Sequence, residues 1–353
     1  MSVAAMRTAG MAVLAACGVL LAGCRGDADT EYKTTEYVFG TLVEITVRGV
    51  PLDKARAAVA DLTPGFARMQ KDWHAWKPGG ELMVVNTACA TGRPVRVSDF
   101  TLPLIADAKR FYALSDGLFD AAVGRIVAAW GFHADDAPRT GLPPLEPIKT
   151  LAAAHPSMDD VTIEGSIVTC LNPAVSLDFG GFAKGSALDW ALARLAAAGI
   201  RNAVISAGGN VSTMGSHGDR PWRIGIRRPG KWDAVAGIDL IGGENLYTSG
   251  NYERFRDSDG VRYGHIIDPR TGMPVRHIVS VSVIHTSGAL ADAASTALTV
   301  AGLRDWPRIA RRMGISAVLM IDEAGRLYAS PDMARRLIFP DGQKPPLVVV
   351  PLP

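Results

Sequence analysis

The sequence predicts an α+β fold, and three observations carry that prediction. Hydrophobic residues make up 48% of the 353 residues, enough for a sizeable core. Segments with helical and strand patterning alternate irregularly along the chain. No GxGxxG follows a strand and opens a helix, as it would at the dinucleotide site of a doubly wound parallel sheet. Length alone allows two domains or one large one. With 37 Lys+Arg against 35 Asp+Glu the net charge is +2, so no basic field argues for a nucleic-acid partner. Four cysteines in this length are too few for a disulfide scaffold.

The N-terminus reads as a targeting segment. From Thr8 to Cys24 no residue is charged, and Arg7 precedes the run. The run is shorter than the roughly 20 apolar residues of a bilayer span and ends in small residues. Leu21-Ala22-Gly23-Cys24 resembles a bacterial lipobox, in which the cysteine is lipidated and becomes the new N-terminus. An ordinary signal peptide cleaved near Ala22, or an uncleaved anchor, are the competing readings. Residues 1–23 are thus expected to be a signal peptide and 24–35 a lipidated polar tether. The expected location is the cell envelope, facing the periplasm. Cys89 and Cys170 remain, and either a disulfide or two buried thiols suits them. There is no CxxC or HExxH pattern to mark a thiolate or zincin metal site.

The elements follow in order. Tyr37 to Arg48 alternates apolar and polar residues and reads as a strand. Asp53 to Trp73 reads as helix, broken, kinked or restarted at Pro64-Gly65. Ser98 to Asp116 is a second helix with Ser98 as candidate cap, and Val123 to Trp130 a third. His133 to Pro147, rich in Pro and Asp, reads as a surface loop. Gly165-Ser166 between Val161–Glu164 and Ile167–Leu171 marks a hairpin. Ser186 to Ala198 is a helix stopped by Gly199. Short β runs follow at Ala203–Ser206, Trp222–Arg227, Val279–Ile284 and Ala317–Ile321, with a helix from Ala289 to Val300 among them. Lys344 to Pro353 reads as an extended Pro-rich tail.

Polar residues gather around glycines. Asp178-Phe179-Gly180-Gly181-Phe182-Ala183-Lys184-Gly185 precedes a helix, so its free amides could face an anion, with Lys184 adding charge. It lacks Walker A spacing. Ser206-Ala207-Gly208-Gly209-Asn210 and Thr248-Ser249-Gly250 are further Gly-rich stretches. Each alone is equally well a tight turn. His265 ends an apparent strand ahead of the Asp268-Pro269-Arg270-Thr271-Gly272 turn, where Asp268 reads as a turn former. Asp292 and Thr296, four apart on a helix, share a face. Two oxygens there could hold a hard cation such as Mg²⁺, or simply be a helix-start Asp and a back-bonding Thr. Among the aromatics, Phe119 and Trp130 suit a core, whereas Trp76, beside Lys77-Pro78-Gly79-Gly80, suits a loop at a flat ligand.

Taken together and in order, these stretches resemble the ApbE family of bacterial FAD:protein FMN transferases. The matching residues are Phe39-Gly40-Thr41, Trp76 with Gly80-Glu81-Leu82 and Asn86, and Asp116-Gly117-Leu118-Phe119-Asp120 with Val123-Gly124. They continue with Asp178 to Gly185, Gly208-Gly209-Asn210, Ser249-Gly250-Asn251-Tyr252, His265 to Gly272, and Asp292 to Thr296. The resemblance implies one large domain over 36–340, a mixed β-sheet core with packed helices, and a C-terminal tail over 341–353. It implies transfer of the FMN half of FAD to a Thr or Ser hydroxyl of a target flavoprotein, with release of AMP. The target would be a membrane redox complex subunit or an extracytoplasmic flavoprotein.

By position, the resemblance implies that Phe39, Trp76, Leu118, Phe119 and Asp120 line the FAD site and that Asp178 hydrogen-bonds the ligand. Lys184 would lie near the phosphates and His265 at the pyrophosphate. Gly181, through its carbonyl, would bind Mg²⁺ with Asp292 and Thr296. The sequence departs from the family pattern at Phe39, Gly80 and Ala121-Ala122, where Met, Ser and Pro-Thr are common. A pyrophosphatase cutting FAD to FMN and AMP, or a non-catalytic flavin- or solute-binding lipoprotein, are the alternatives.

Overall fold

A computed structural model describes residues 30–133, 140–340 and 345–353. The expected signal segment, Cys24 and the first part of the expected tether lie outside the described residues. Nine strands form the main sheet: β1 (Glu31–Val38), β2 (Thr41–Arg48), β3 (Asn202–Ala207), β4 (Asn210–Met214), β5 (Asn245–Gly250), β6 (Ile278–His285), β7 (Ala317–Asp322), β8 (Leu327–Ala329) and β9 (Leu347–Val349). They lie side by side in chain order. Every neighbouring pair is antiparallel except β8 with β9, which makes the sheet mixed.

Period-2 alternation explains why these segments are strands. In β6, Val281 and Val283 face one core and Ile284 the other; in β7, Val318 and Met320 alternate with Ala317, Leu319 and Ile321 in the same way. One face is covered by helices. These are α1 (Leu52–Ala60), α2 (Thr63–Asp72), α3 (Glu81–Cys89), α4 (Leu102–Leu114), α7 (Ala183–Ala197) and α8 (Gly288–Arg312). The other face is covered by the hairpin Trp222–Arg227/Ala234–Leu240 and by α9 (Pro331–Arg336). Two further helices, α5 (Gly124–Ala129) and α6 (Leu145–Ala153), pack around buried Trp130 as a satellite cluster. Helix α8 is in fact two helices, broken at Gly302 with φ 65° and ψ −177°, a conformation open essentially to glycine.

Several expectations are corrected. The expected tether is too long, because Glu31 already begins β1 and pairs with Arg48. Tyr37 to Arg48 is not one strand: Phe39 and Gly40, both at positive φ (56° and 71°), make a two-residue hairpin turn. The first helix breaks at Asp61-Leu62, and Pro64 sits where a proline is tolerated, in the first turn of α2. Ser98 does not cap α4, which starts at Leu102; its N–H and hydroxyl instead donate to Glu81 at 2.7 and 2.6 Å. The expected loop His133–Pro147 is cut short by α6, which starts at Leu145; residues 134–139 of it lie outside the described residues. The C-terminal tail is not free, since Leu347–Val349 pairs with β8; residues 341–344 lie outside the described residues. Helix α3 went unforeseen. Cys89 and Cys170 form a disulfide, which resolves the open choice.

Candidate active site

Antiparallel order brings distant turns to one end of the sheet. The β1–β2 turn, the β3–β4 turn at Gly208-Gly209, and the end of β5 at Gly250 all lie there. Helix α8 leaves β6 at the opposite end and runs back, so its second and third turns arrive at this end. A Cβ on Gly208 would sit 3.0 Å from Thr41 Oγ1, which shows how closely the first two turns meet.

Asp292 is the innermost charge. Its Oδ2 accepts from Gly185 N at 3.1 Å and its Oδ1 from Asn210 Nδ2 at 3.1 Å. Burial raises its carboxyl to about 6, against the opposing pull of Lys184 and these two donors. Gly185 is required there: a Cβ would meet Gly288 O at 2.3 Å, so only glycine lets α7 approach α8. One turn on, Thr296 Oγ1 lies 3.2 Å from Ser249 Oγ, which also bonds Ser295 Oγ at 2.7 Å. Thr296 also bonds back to Asp292 O at 3.4 Å. Gly181 lies alongside, with its Cβ direction 3.6 Å from Thr296 Oγ1. Asp292, Thr296 and Gly181 therefore lie near one another. Among the described residues no cluster of three His, Cys, Asp or Glu side chains offers a metal site. A carboxylate, a hydroxyl and a neighbouring carbonyl make an all-oxygen donor set, which fits a hard cation whose remaining positions are filled by water and phosphate oxygens.

Lys184, in the first turn of α7, acts electrostatically on Asp292, Asp178 and His265, so all three lie within reach of its charge. Asp178 Oδ1 accepts from Gly180 N at 2.8 Å. Burial raises its carboxyl above the usual range, opposed by Gly180 N–H and by the charges of His74, Arg254 and Lys184. His265 follows the hairpin Phe255–Ser258/Val261–Gly264. Its backbone N–H donates to Arg254 O at 3.0 Å, and its Nδ1 lies 3.2 Å from the same carbonyl. A carbonyl only accepts, so this contact places the proton on Nδ1 and the lone pair on Nε2. Burial, then the positive charges of Lys184 and Arg254, hold the imidazole down at about 4, so it is neutral at neutral pH.

The remaining expected residues divide. Phe39 packs edge-on against Phe66 at 5.6 Å and its amide donates to Gln70. A Cβ on Gly40 would lie 3.5 Å from Arg254 Nη2, so this turn borders the cluster. Trp76 lies in the loop before α3, its ring 5.3 Å from that of His133, and its amide donates to His74 Nδ1 at 3.1 Å. Leu118 and Phe119 are buried, and Phe119 packs against Gly181, 3.1 Å from its Cβ direction. The Asp120 carboxylate accepts from Ala122 N at 2.8 Å, and burial with Asp159 and Asp160 nearby raises it to about 7. Trp130 is core, bonding Gly272 O at 2.8 Å. Reasoning from sequence passed over Arg254, and it gave no separate role to Asn210 or Ser249, although both stand inside the Gly-rich stretches.

Residues 39–319 match the ApbE family. The chain belongs to the ApbE family. It is similar to the FAD:protein FMN transferase of Rhodobacter capsulatus, 50% identical over 354 residues, covering 99% of this chain and 67% of that protein. A second relative of the same name, from Klebsiella pneumoniae, is 31% identical over 324 residues, covering 88% and 92%. In structure the chain resembles the ApbE protein of Thermotoga maritima, with a TM-score of 0.79 and 31% identity over 87% of this chain and 99% of that one. It also resembles the flavin transferase ApbE of Vibrio cholerae, with a TM-score of 0.75 and 28% identity over 87% and 99%. The ApbE-fold domain thus spans the mixed sheet and its helices.

Proposed function

We propose that this chain is an FAD:protein FMN transferase that moves the FMN half of FAD to a Thr or Ser hydroxyl of a target flavoprotein and releases AMP, with Mg²⁺ required. The observation that carries this reading is the convergence of Asp292, Thr296 and Gly181 with Lys184 and His265 at one end of the sheet. Asp292 and Thr296 side chains and the Gly181 carbonyl would hold the cation. Bound there, Mg²⁺ would offset pyrophosphate charge.

Transfer forms a bond from the acceptor oxygen to the FMN phosphorus and breaks the pyrophosphate bond to AMP, which leaves with the electron pair. Lys184 supplies fixed positive charge to the phosphates. His265, neutral and with its lone pair on Nε2, accepts the hydroxyl proton as the bond forms. Electrostatic placement dominates, because such transition states ask little of the nucleophile. A bulky aromatic at Trp76 would shield the pyrophosphate from water, which favours a protein hydroxyl over hydrolysis. The chain is further proposed to be a lipoprotein anchored through Cys24 in the cell envelope.

Mass spectrometry of a candidate target after incubation with the enzyme, FAD and Mg²⁺ tests this. The expected result is a target heavier by one FMN, lost with Asp292→Asn. Free FMN with an unmodified target would mean a pyrophosphatase, and no turnover at all would mean a flavin-binding protein.

A further inference from the structure

We infer that Asn210 is a positioning residue for the cation site: it aims the Asp292 carboxylate and ties it to the strand that carries Ser249. The inference rests on the cation reading of Asp292 and Thr296 given above. Asn210 is the first residue of β4 and is 2% exposed. Its Oδ1 accepts from Thr248 N at 3.0 Å. A backbone N–H only donates, so the amide has one orientation, and Nδ2 is forced to face Asp292 Oδ1 at 3.1 Å. The amide thus bridges β4, β5 and α8. Thr248 is followed by Ser249, whose hydroxyl reaches Thr296 at 3.2 Å. A single side chain thereby sets both the carboxylate of one ligand and, one residue along β5, the contact of the other. Gly185 N holds Oδ2, so Asp292 cannot rotate without losing a buried hydrogen bond.

The same strand pair holds its own control. Asn245, 1% exposed at the opposite end of β5, accepts from Thr213 N at 3.1 Å and donates to Thr286 O at 2.8 Å. It is the same kind of buried strut between β4, β5 and the approach to α8, but it touches neither Asp292 nor Thr296. A role confined to holding the sheet together would make the two asparagines equivalent.

The test titrates the full chain with Mn²⁺ alone and reads bound metal by electron paramagnetic resonance, with thermal melts recorded in parallel. Asn210→Leu is expected to weaken Mn²⁺ binding by about 10- to 100-fold, the usual effect of removing an outer-shell partner. Asn245→Leu, with a comparable drop in melting temperature, is expected to leave Mn²⁺ affinity within about twofold, since distant sites act independently. Equal affinities in the two variants, whether both normal or both weakened, would overturn the assignment. If Asn210→Leu does not fold, Asn210→Ser replaces it with the same expectation. Wild-type binding that Asp292→Asn leaves unchanged would instead remove the cation reading, and the strut with it.

Discussion

At the residue scale, buried carboxyls show where the fold tolerates charge. Asp120 has its carboxyl raised to about 7 by burial, while one oxygen accepts from Ala122 N. In the unfolded chain the same group returns to the ordinary 3.8. Between about pH 4 and 7 the native state therefore holds a proton that the unfolded chain has released. Stability from this group falls as pH rises through that window and is level on either side. Asp120→Asn keeps the acceptor and cannot ionise. Its melting temperature should match the wild type near pH 4 and exceed it by several degrees at pH 8, as melts across that range would record. A constant offset at all pH values would mean that the carboxyl ionises normally in the fold. Legibility at this scale followed chemistry. Asp178, Lys184, Asp292 and Thr296 stood out because polar groups beside glycines or one helical turn apart signal a site. Arg254 gave no such sign, since it reaches the cluster only through the fold of the Phe255–Gly264 hairpin.

At the element scale, α3 holds the segment that leads into Asp178. Its first turn is fixed by Glu81 on Ser98, and its second by Asn86, whose amide both donates to Leu177 O at 2.9 Å and accepts from Leu177 N at 2.6 Å. Its last turn is fixed by the Cys89–Cys170 disulfide, which closes a separation of 81 residues. Sequence reasoning missed this helix because Gly80 offers no capping side chain and the run Val84-Val85 favours strand. It caught α7 and the Gly165-Ser166 hairpin because those carry their own stop and turn residues. Strands β4 and β5 escaped because their polar residues, Asn210, Ser212 and Thr213 in one and Asn245, Thr248 and Ser249 in the other, are buried or half-buried and blur the alternation of apolar and polar positions. A disulfide typically stabilises by about 2–4 kcal/mol, at the upper end for a loop as long as that closed by Cys89–Cys170. A Cys89→Ser, Cys170→Ser double variant should therefore melt several degrees lower. Asn86 still grips Leu177 in that variant, so flavin transfer at 25 °C should stay close to wild type. Loss of transfer with an intact circular dichroism spectrum would assign the disulfide a direct part in placing Asp178.

At the scale of the whole molecule, sheet order explains how residues from Phe39 to Thr296 meet. Each antiparallel return puts alternate turns at one end, and there the β1–β2 and β3–β4 turns, the end of β5 and the returning α8 assemble the site. The sequence order of the motifs already required one folded unit, but not which end of which strand would carry them. The described chain starts at the other end, where Thr30 O accepts from Gly49 N. The eight residues of β1 separate that start from the Phe39-Gly40 turn, about 26 Å at 3.3 Å per residue. No residue of the site precedes Phe39, and among the described residues no helix is long and apolar enough to cross a membrane. An anchor through Cys24, as proposed above, would therefore be separable from the chemistry. A chain starting at Thr30 should transfer flavin at the full-length rate and stay in the aqueous phase on detergent partitioning. The full chain expressed in a bacterial envelope should enter the detergent phase and take up labelled palmitate, and Cys24→Ala should do neither. Palmitate uptake by the Cys24→Ala chain would refute the anchor. Loss of transfer in the shortened chain would show that residues before β1 reach the far end of the sheet.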